Sequence, residues 1–233
     1  MKCAIMQPTF LPWAGYFNLM ASVDVFVFLD DAQYQKSSWH NRNRVPVNDV
    51  PHWLTVPVQH QALSQSILDT VIDPQPVWRQ KMLRQLTQLY AKHPYRSELE
   101  SFTALIADTA YTSLAELNIA LITMVAGKLG LSCKLRRSSA MNCAGIRTER
   151  VLAILAEVGA TAYLSPQGAK DYLTEDGFSL QNKFTLSYQE FMANAYPQLK
   201  SSQFIEKLSI VDVVMNIGWD ATAQYVKNAG GIK

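Results

Sequence analysis

The chain is expected to fold as an α/β protein on a mainly parallel, Rossmann-like layered sheet with a helical insertion. Three observations point there. Apolar runs of strand length alternate with segments of helical period, the pattern of βαβ units. Runs such as Cys3-Ala4-Ile5-Met6 and Val25-Phe26-Val27-Phe28-Leu29 are apolar throughout, as strands buried on both faces are. Polar residues follow where such runs stop: Gln7-Pro8, Asp30-Asp31-Ala32-Gln33, Ser138-Ser139 and Ser165-Pro166-Gln167-Gly168. If the strands are parallel, these polar ends share one edge, where open α/β sheets bind ligands.

Taken in order, the first strand is followed by a short helix over Gly15–Ser22, with Tyr16, Phe17, Leu19 and Met20 available for packing, and then by the second strand. Such a crossover makes the two strands parallel. The polar run Lys36 to Arg44 leads into two strand-like pieces about an Asn48-Asp49 turn, with Pro46, Pro51 and Pro57 suggesting edge positions. Gln59–Ser66 has no period and reads as a mobile loop. Three helices come next: from Val77 to the break at His93-Pro94, about Tyr95–Asp108, and one capped by Ser113 and ended at Gly130. Strands return at Cys133–Arg137, Thr161–Leu164 and Lys183–Tyr188, with helices at Arg147–Val158, Ala169–Leu173 and from Ser209 to about Asn216. The tail from Lys227 should fray. The expected division is an α/β domain of residues 1–75 and 131–233 with a helical insertion at 76–130.

A chain of 233 residues, 48% hydrophobic and 17% charged, buries a full core without a staple. A formal charge of +2 gives no electrostatic footprint for nucleic acid. No apolar run approaches the ~20 residues of a membrane helix, so no membrane insertion is expected. The first residues lack a long apolar h-region, so no signal peptide is expected. Cys3, Cys133 and Cys143 form no CxxC pair and fit a reducing cytoplasm. Cys143, in a loop, is a lone nucleophile candidate.

The polar edge supplies the candidate site. Arg42 and Arg44 share one face of an extended backbone and Asn41 and Asn43 the other, so two guanidinium groups in line can grip a diphosphate or a carboxylate. The alternative is an exposed basic strand paired with Asp30 or Asp31. Those acids can supply a general base, a Mg²⁺ ligand or an ion pair, and His40 has the near-neutral pKa that suits acid–base work. Gln7, Gln33, Asn41 and Asn43 can orient hydroxyl or amide groups. Ser138, Ser139 and Ser165 offer hydroxyl donors, and Gly168 lies in a strand-end turn. Trp13, Tyr16 and Trp39 can form a stacking platform for a sugar or base. His52, His60 and His93 have no ligand spacing, so no zinc site is expected.

The runs QPTFLPWAGYF, DVFVFLDDAQYQKSSWHNRNR and TAYLSPQGAKDYL resemble the WbqC-like family of bacterial proteins, over Ala4 to about Gly218. The resemblance implies a setting among genes for O-antigen and other surface polysaccharides. It brings Lys170 and Tyr172 into consideration as well. The reading that follows is a transferase modifying a nucleotide-activated or carrier-linked sugar, with a small-molecule sugar or nucleotide-type substrate and Mg²⁺ as an optional cofactor. Two alternatives stay open. The opening resembles, loosely, nucleotidyltransferases with a His-x-Gly-His phosphate motif, but both histidines are missing around Gly15. A non-catalytic sugar- or nucleotide-binding protein of an assembly complex is the other.

Overall fold

A computed structural model describes residues 1–59, 62, 64–178, 183–199 and 201–228. In chain order the elements are β1 (Lys2–Met6), α1 (Ala14–Ala21), β2 (Val25–Phe28), β3 (Arg42–Val47), β4 (Val50–Thr55), β5 (Val58–Gln59) and β6 (Val71–Ile72). There follow α2 (Val77–Tyr90), α3 (Leu99–Ala107), α4 (Leu114–Lys128), β7 (Lys134–Arg137), α5 (Arg147–Glu157), β8 (Ala162–Ser165), α6 (Lys170–Glu175), β9 (Thr185–Tyr188) and α7 (Ile210–Lys227).

Five strands form one sheet in the order β7-β2-β1-β8-β9, and every neighbouring pair is parallel. The chain therefore starts in the middle, winds outward through β2 to β7, and returns past β1 to build β8 and β9. The reversal between β1 and β8 is the topological switch point of a doubly wound sheet. The parallel, Rossmann-like layering expected from the apolar runs is what forms.

Side-chain alternation along the strands explains why those runs are apolar throughout. Ala4, Phe26, Phe28 and Leu164 belong to one core, shared with α1, α4, α7 and the inward residues of α2 and α3. Cys3, Ile5, Val25, Val27 and Tyr163 face the other way, into a core closed by Val151, Ile154 and Leu155 of α5 and Leu173 of α6. Neither face is left to water, so no polar residue is tolerated between the apolar ones.

The turn expected at Asn48-Asp49 joins β3 and β4 as an antiparallel hairpin. Both turn residues have positive φ, 49° and 64°, the backbone that matches strand twist in a two-residue hairpin. Pro46 faces Pro51 across the ribbon. In a hairpin with this turn that pair exchanges no hydrogen bonds, so neither proline's missing N–H is felt.

Some local expectations are revised. Ser113 does precede α4, but its hydroxyl donates to Leu68 O at 2.9 Å instead of capping the helix. The last helix does not stop near Asn216: α7 runs on to Lys227 through Gly218, whose φ of 76° and ψ of 172° break the helix for one residue. Within the expected loop, residues 60, 61 and 63 lie outside the described residues. Gln65 and Ser66 beside them are hydrogen-bonded, Gln65 Nε2 to Thr70 Oγ1 at 3.1 Å and Ser66 Oγ to Asp69 Oδ2 at 2.6 Å. Of the tail expected to fray, residues 229–233 also lie outside the described residues. Among the described residues no helix is long and apolar enough to cross a membrane.

Candidate functional site

The chain leaving β1 shapes a crevice of about 370 Å³ at the strand's carboxyl end, lined by Met6, Thr9, Pro12, Trp13, Tyr16, Trp39, Asn43 and Lys207. Trp13 occupies the N-cap position of α1, and its indole lies against Gly15. A methyl group at Gly15 would fall inside the Trp13 ring, so the glycine permits this wall. Tyr16 is buried, and its hydroxyl donates to Gln7 O at 3.2 Å. Burial pushes that phenol well above its ordinary value and keeps it neutral. The platform residues Trp13, Tyr16 and Trp39 thus meet around one cavity.

Asn43 builds the floor. Buried on β3, it donates through Nδ2 to Phe10 O at 3.0 Å and Leu11 O at 2.8 Å, and its Oδ1 accepts Arg44 N at 2.7 Å. The first two bonds fix the loop between β1 and α1 to the hairpin, and the third holds the Asn43 amide in place within β3. Asn41 is buried likewise, with Nδ2 donating to Val56 O at 2.9 Å. Their partners on the alternate face, Arg42 and Arg44, stay partly exposed, as the period of an extended strand requires.

Neither arginine pairs with Asp30 or Asp31. Arg42 is set over the Trp53 ring, 4.1 Å from its centroid, and Arg44 lies 5.3 Å from that of Trp39. The acids turn to β7 instead. Asp30 is fully buried; its Oδ1 accepts Ser139 N at 3.0 Å and its Oδ2 accepts Ser139 Oγ at 2.7 Å. Ser138 Oγ lies 3.2 Å from Asp30 Oδ1 and also donates to Asp31 Oδ1. Arg150 of α5 pairs with Asp31 Oδ2. The two serines after β7 therefore brace the acids after β2. Both oxygens of Asp30 thus accept hydroxyl or amide donors, and Asp31 faces a guanidinium. Among the described residues no three His, Cys, Asp or Glu side chains gather as metal ligands.

His40 is buried, not in a solvated loop. Its Nδ1 accepts Gln35 N at 3.2 Å, so Nε2 carries the proton shared with Gln7 Oε1 at 2.9 Å. Burial lowers its pKa to about 4, away from the near-neutral value expected of it. Gln7 and His40 form a polar brace behind the crevice, and Asn118 Nδ2 joins it by donating to His40 O at 2.8 Å and Pro8 O at 3.1 Å. Gln33 is exposed and bridged to Ser66. Ser165 is buried with its hydroxyl on Pro166 O at 3.1 Å, and Gly168 is exposed in the turn after β8. Lys170 lies over Tyr188 and Tyr172 under Arg147, near β9 and α5. Cys143 is half-buried, with its thiol pushed up by burial.

Sequence reasoning did not find Trp53, Lys207 or Arg150. Trp53 had a local signal, since the hairpin register puts it opposite Arg44. Lys207 and Arg150 reach their partners through the tertiary fold alone. A second cavity, of about 380 Å³, lies between α2 and the hairpin face of Val45 and His52, opposite the face of Arg44 and Trp53, lined by Val45, Val47, His52, Leu54, Gln85 and Gln88 among others. It contains none of the strand-end residues.

Fold and crevice together define a doubly wound α/β protein with an aromatic-walled cavity at the carboxyl end of its central strand. The chain belongs to the WbqC-like protein family, whose model matches residues 7–224. It is 33% identical over 224 residues to a Mycobacterium tuberculosis (strain ATCC 25618 / H37Rv) protein described as uncharacterized protein Rv1507c, covering 94% of this chain and 95% of that one. No solved structure matches.

Proposed function

We propose that the protein is a group transferase that modifies an activated sugar, nucleotide-linked or carrier-linked, in the assembly of a bacterial surface polysaccharide. The observation that carries this reading is the crevice walled by Trp13, Tyr16 and Trp39 with Lys207 at its lining. Indole faces stack against the C–H face of a sugar ring, and the few polar groups around them, Thr9 and Lys207, suit hydroxyls or an acidic substituent. Family membership supports the polysaccharide setting. Asp31 is the proton acceptor in this reading. It keeps 32% of its side-chain surface exposed, whereas Asp30 is fully buried among serine donors.

One observation favours a second reading, a non-catalytic binding protein: both acids and His40 already hold partners. A thermal-shift screen against nucleotide sugars, followed by a turnover assay on the hit, separates the two. A ligand at ~100 times its Kd should add about 2.7 kcal/mol, on the order of 5–10 °C in Tm for a domain of this size. Trp39→Ala should abolish the shift. Asp31→Asn should keep the shift and lose turnover. A shift without turnover in the unmutated protein favours the binding module, and no shift with any activated sugar refutes the transferase.

A further inference from the structure

Three cations beside the crevice are each set over an indole. Arg42 lies 4.1 Å from the Trp53 centroid, Arg44 lies 5.3 Å from Trp39 and 5.9 Å from Trp53, and Lys207 Nζ lies 6.0 Å from Trp13. Trp39 and Trp53 stand 5.2 Å apart, so the row runs unbroken from the hairpin to the crevice wall. Three other arginines near the sheet are neutralised: Arg137 by Glu116, Arg147 by Glu175 and Asp176, Arg150 by Asp31. Among the described residues no carboxylate pairs with Arg42, Arg44 or Lys207.

An indole face attracts a cation without cancelling its charge. The Nε atoms of Arg42 and Arg44 are buried there without hydrogen-bond partners, so the Nη groups of Arg42 and Nη1 of Arg44 are the ones placed to meet a ligand. Arg44 commits Nη2 to Lys207 O, at 3.4 Å, tying the second cation to the third. Two residues apart on β3, the arginines stand roughly 7 Å apart along the strand, a spacing that two linked phosphates can bridge. Among the described residues that line the crevice, Lys207 is the single charged one. The anionic part of a ligand is thereby directed to the row outside and its ring to the cavity.

We infer that Arg42, Arg44 and Lys207 form a docking strip for a diphosphate ester whose linked ring enters the crevice between Trp13 and Trp39. The inference rests on the activated-sugar reading and names the group by which the sugar is activated. A nucleoside diphosphate and a prenyl diphosphate carry the same chemistry.

The test is a tryptophan-fluorescence titration of the full chain with inorganic pyrophosphate, then orthophosphate, UDP and geranyl diphosphate. Pyrophosphate should give a saturable change and bind more tightly than orthophosphate. Arg42→Gln and Arg44→Gln should each weaken it on the order of tenfold, the loss of a charged hydrogen bond. Arg136→Gln, on the exposed edge of β7, should leave it unchanged. Arg44→Lys, which keeps the charge and loses the fork, should fall between. Tighter binding of UDP or of geranyl diphosphate supports the strip and assigns the source. Equal affinity across the variants, or for orthophosphate and pyrophosphate, overturns it. Pyrophosphate binding in a protein that turns over no sugar would keep the strip and retire the transferase. Turnover untouched by Arg42→Gln and Arg44→Gln would retire the strip alone.

Discussion

Asp212 is fully buried in the first turn of α7, its Oδ1 accepting Tyr90 OH at 3.2 Å and its Oδ2 accepting Tyr196 OH at 2.7 Å. Desolvation outweighs these bonds and raises its pKa from the ordinary 3.8 to about 6. The unfolded chain releases this proton near 3.8 and the folded one near 6, so the acid's contribution is fully present below 3.8 and lost as pH rises through 6. Asp212→Asn removes that dependence while keeping one acceptor and adding one donor for the tyrosines. The shift corresponds to about 3 kcal/mol, of which roughly 2–3 kcal/mol falls between pH 4 and pH 7. His40 works in the opposite sense: its folded pKa lies at about 4 against an ordinary 6.5, so its contribution is lost as pH falls from 6.5 towards 4. The two groups offset one another, and the parent protein should show a shallow profile over this interval. Urea unfolding at pH 4, 5, 6 and 7 should show the stability of Asp212→Asn climbing relative to the parent by those 2–3 kcal/mol. A constant difference between the two proteins at all four values would refute the burial argument.

Three further outcomes follow from the geometry. Gly15→Ala drives a methyl group into the Trp13 indole; it should abolish ligand-induced thermal shifts while the unliganded Tm moves by only a few degrees. Gly218→Ala puts a Cβ 2.6 Å from the Tyr95 ring at a backbone angle L side chains rarely adopt. It should destabilise by about 3 kcal/mol, read as a lowered urea midpoint. Asn43→Ala strands Phe10 O and Arg44 N in the floor of the crevice and leaves Leu11 O to the Ser209 hydroxyl alone; a loss of about 2–3 kcal/mol is expected, together with loss of pyrophosphate binding.

What could be read from the chain is what depends on near neighbours. The apolar runs of β1 and β2 carry their own signature of double burial, and Asn48-Asp49 carries its hairpin turn. The alternation from Asn41 to Arg44 places asparagines inward and arginines outward because period two is a local property of extended backbone. The failures share a cause in distance. Asp31 looked like a partner for Arg42 nearby, yet it pairs with Arg150, 119 residues on. His40 sits among polar residues that suggest a wet loop, but Asn118, 78 residues away, covers its carbonyl. The last helix is expected to end near Asn216, and it runs on to Lys227 because Gly218 alone absorbs the break.

The place of β1 has a consequence for how the molecule is made. Its central strand pairs Cys3 with Val25 on one side and with Tyr163 on the other. The first contact forms within a short loop, while the second waits for most of the chain. During synthesis β1, β2 and β7 emerge before α5, β8 and α6, so Ile5, Val25 and Val27 present an uncovered apolar face until those elements arrive. That interval is the vulnerable one for aggregation. Truncations ending between β7 and α5 should be insoluble even though they retain the crevice wall of Trp13, Tyr16 and Trp39.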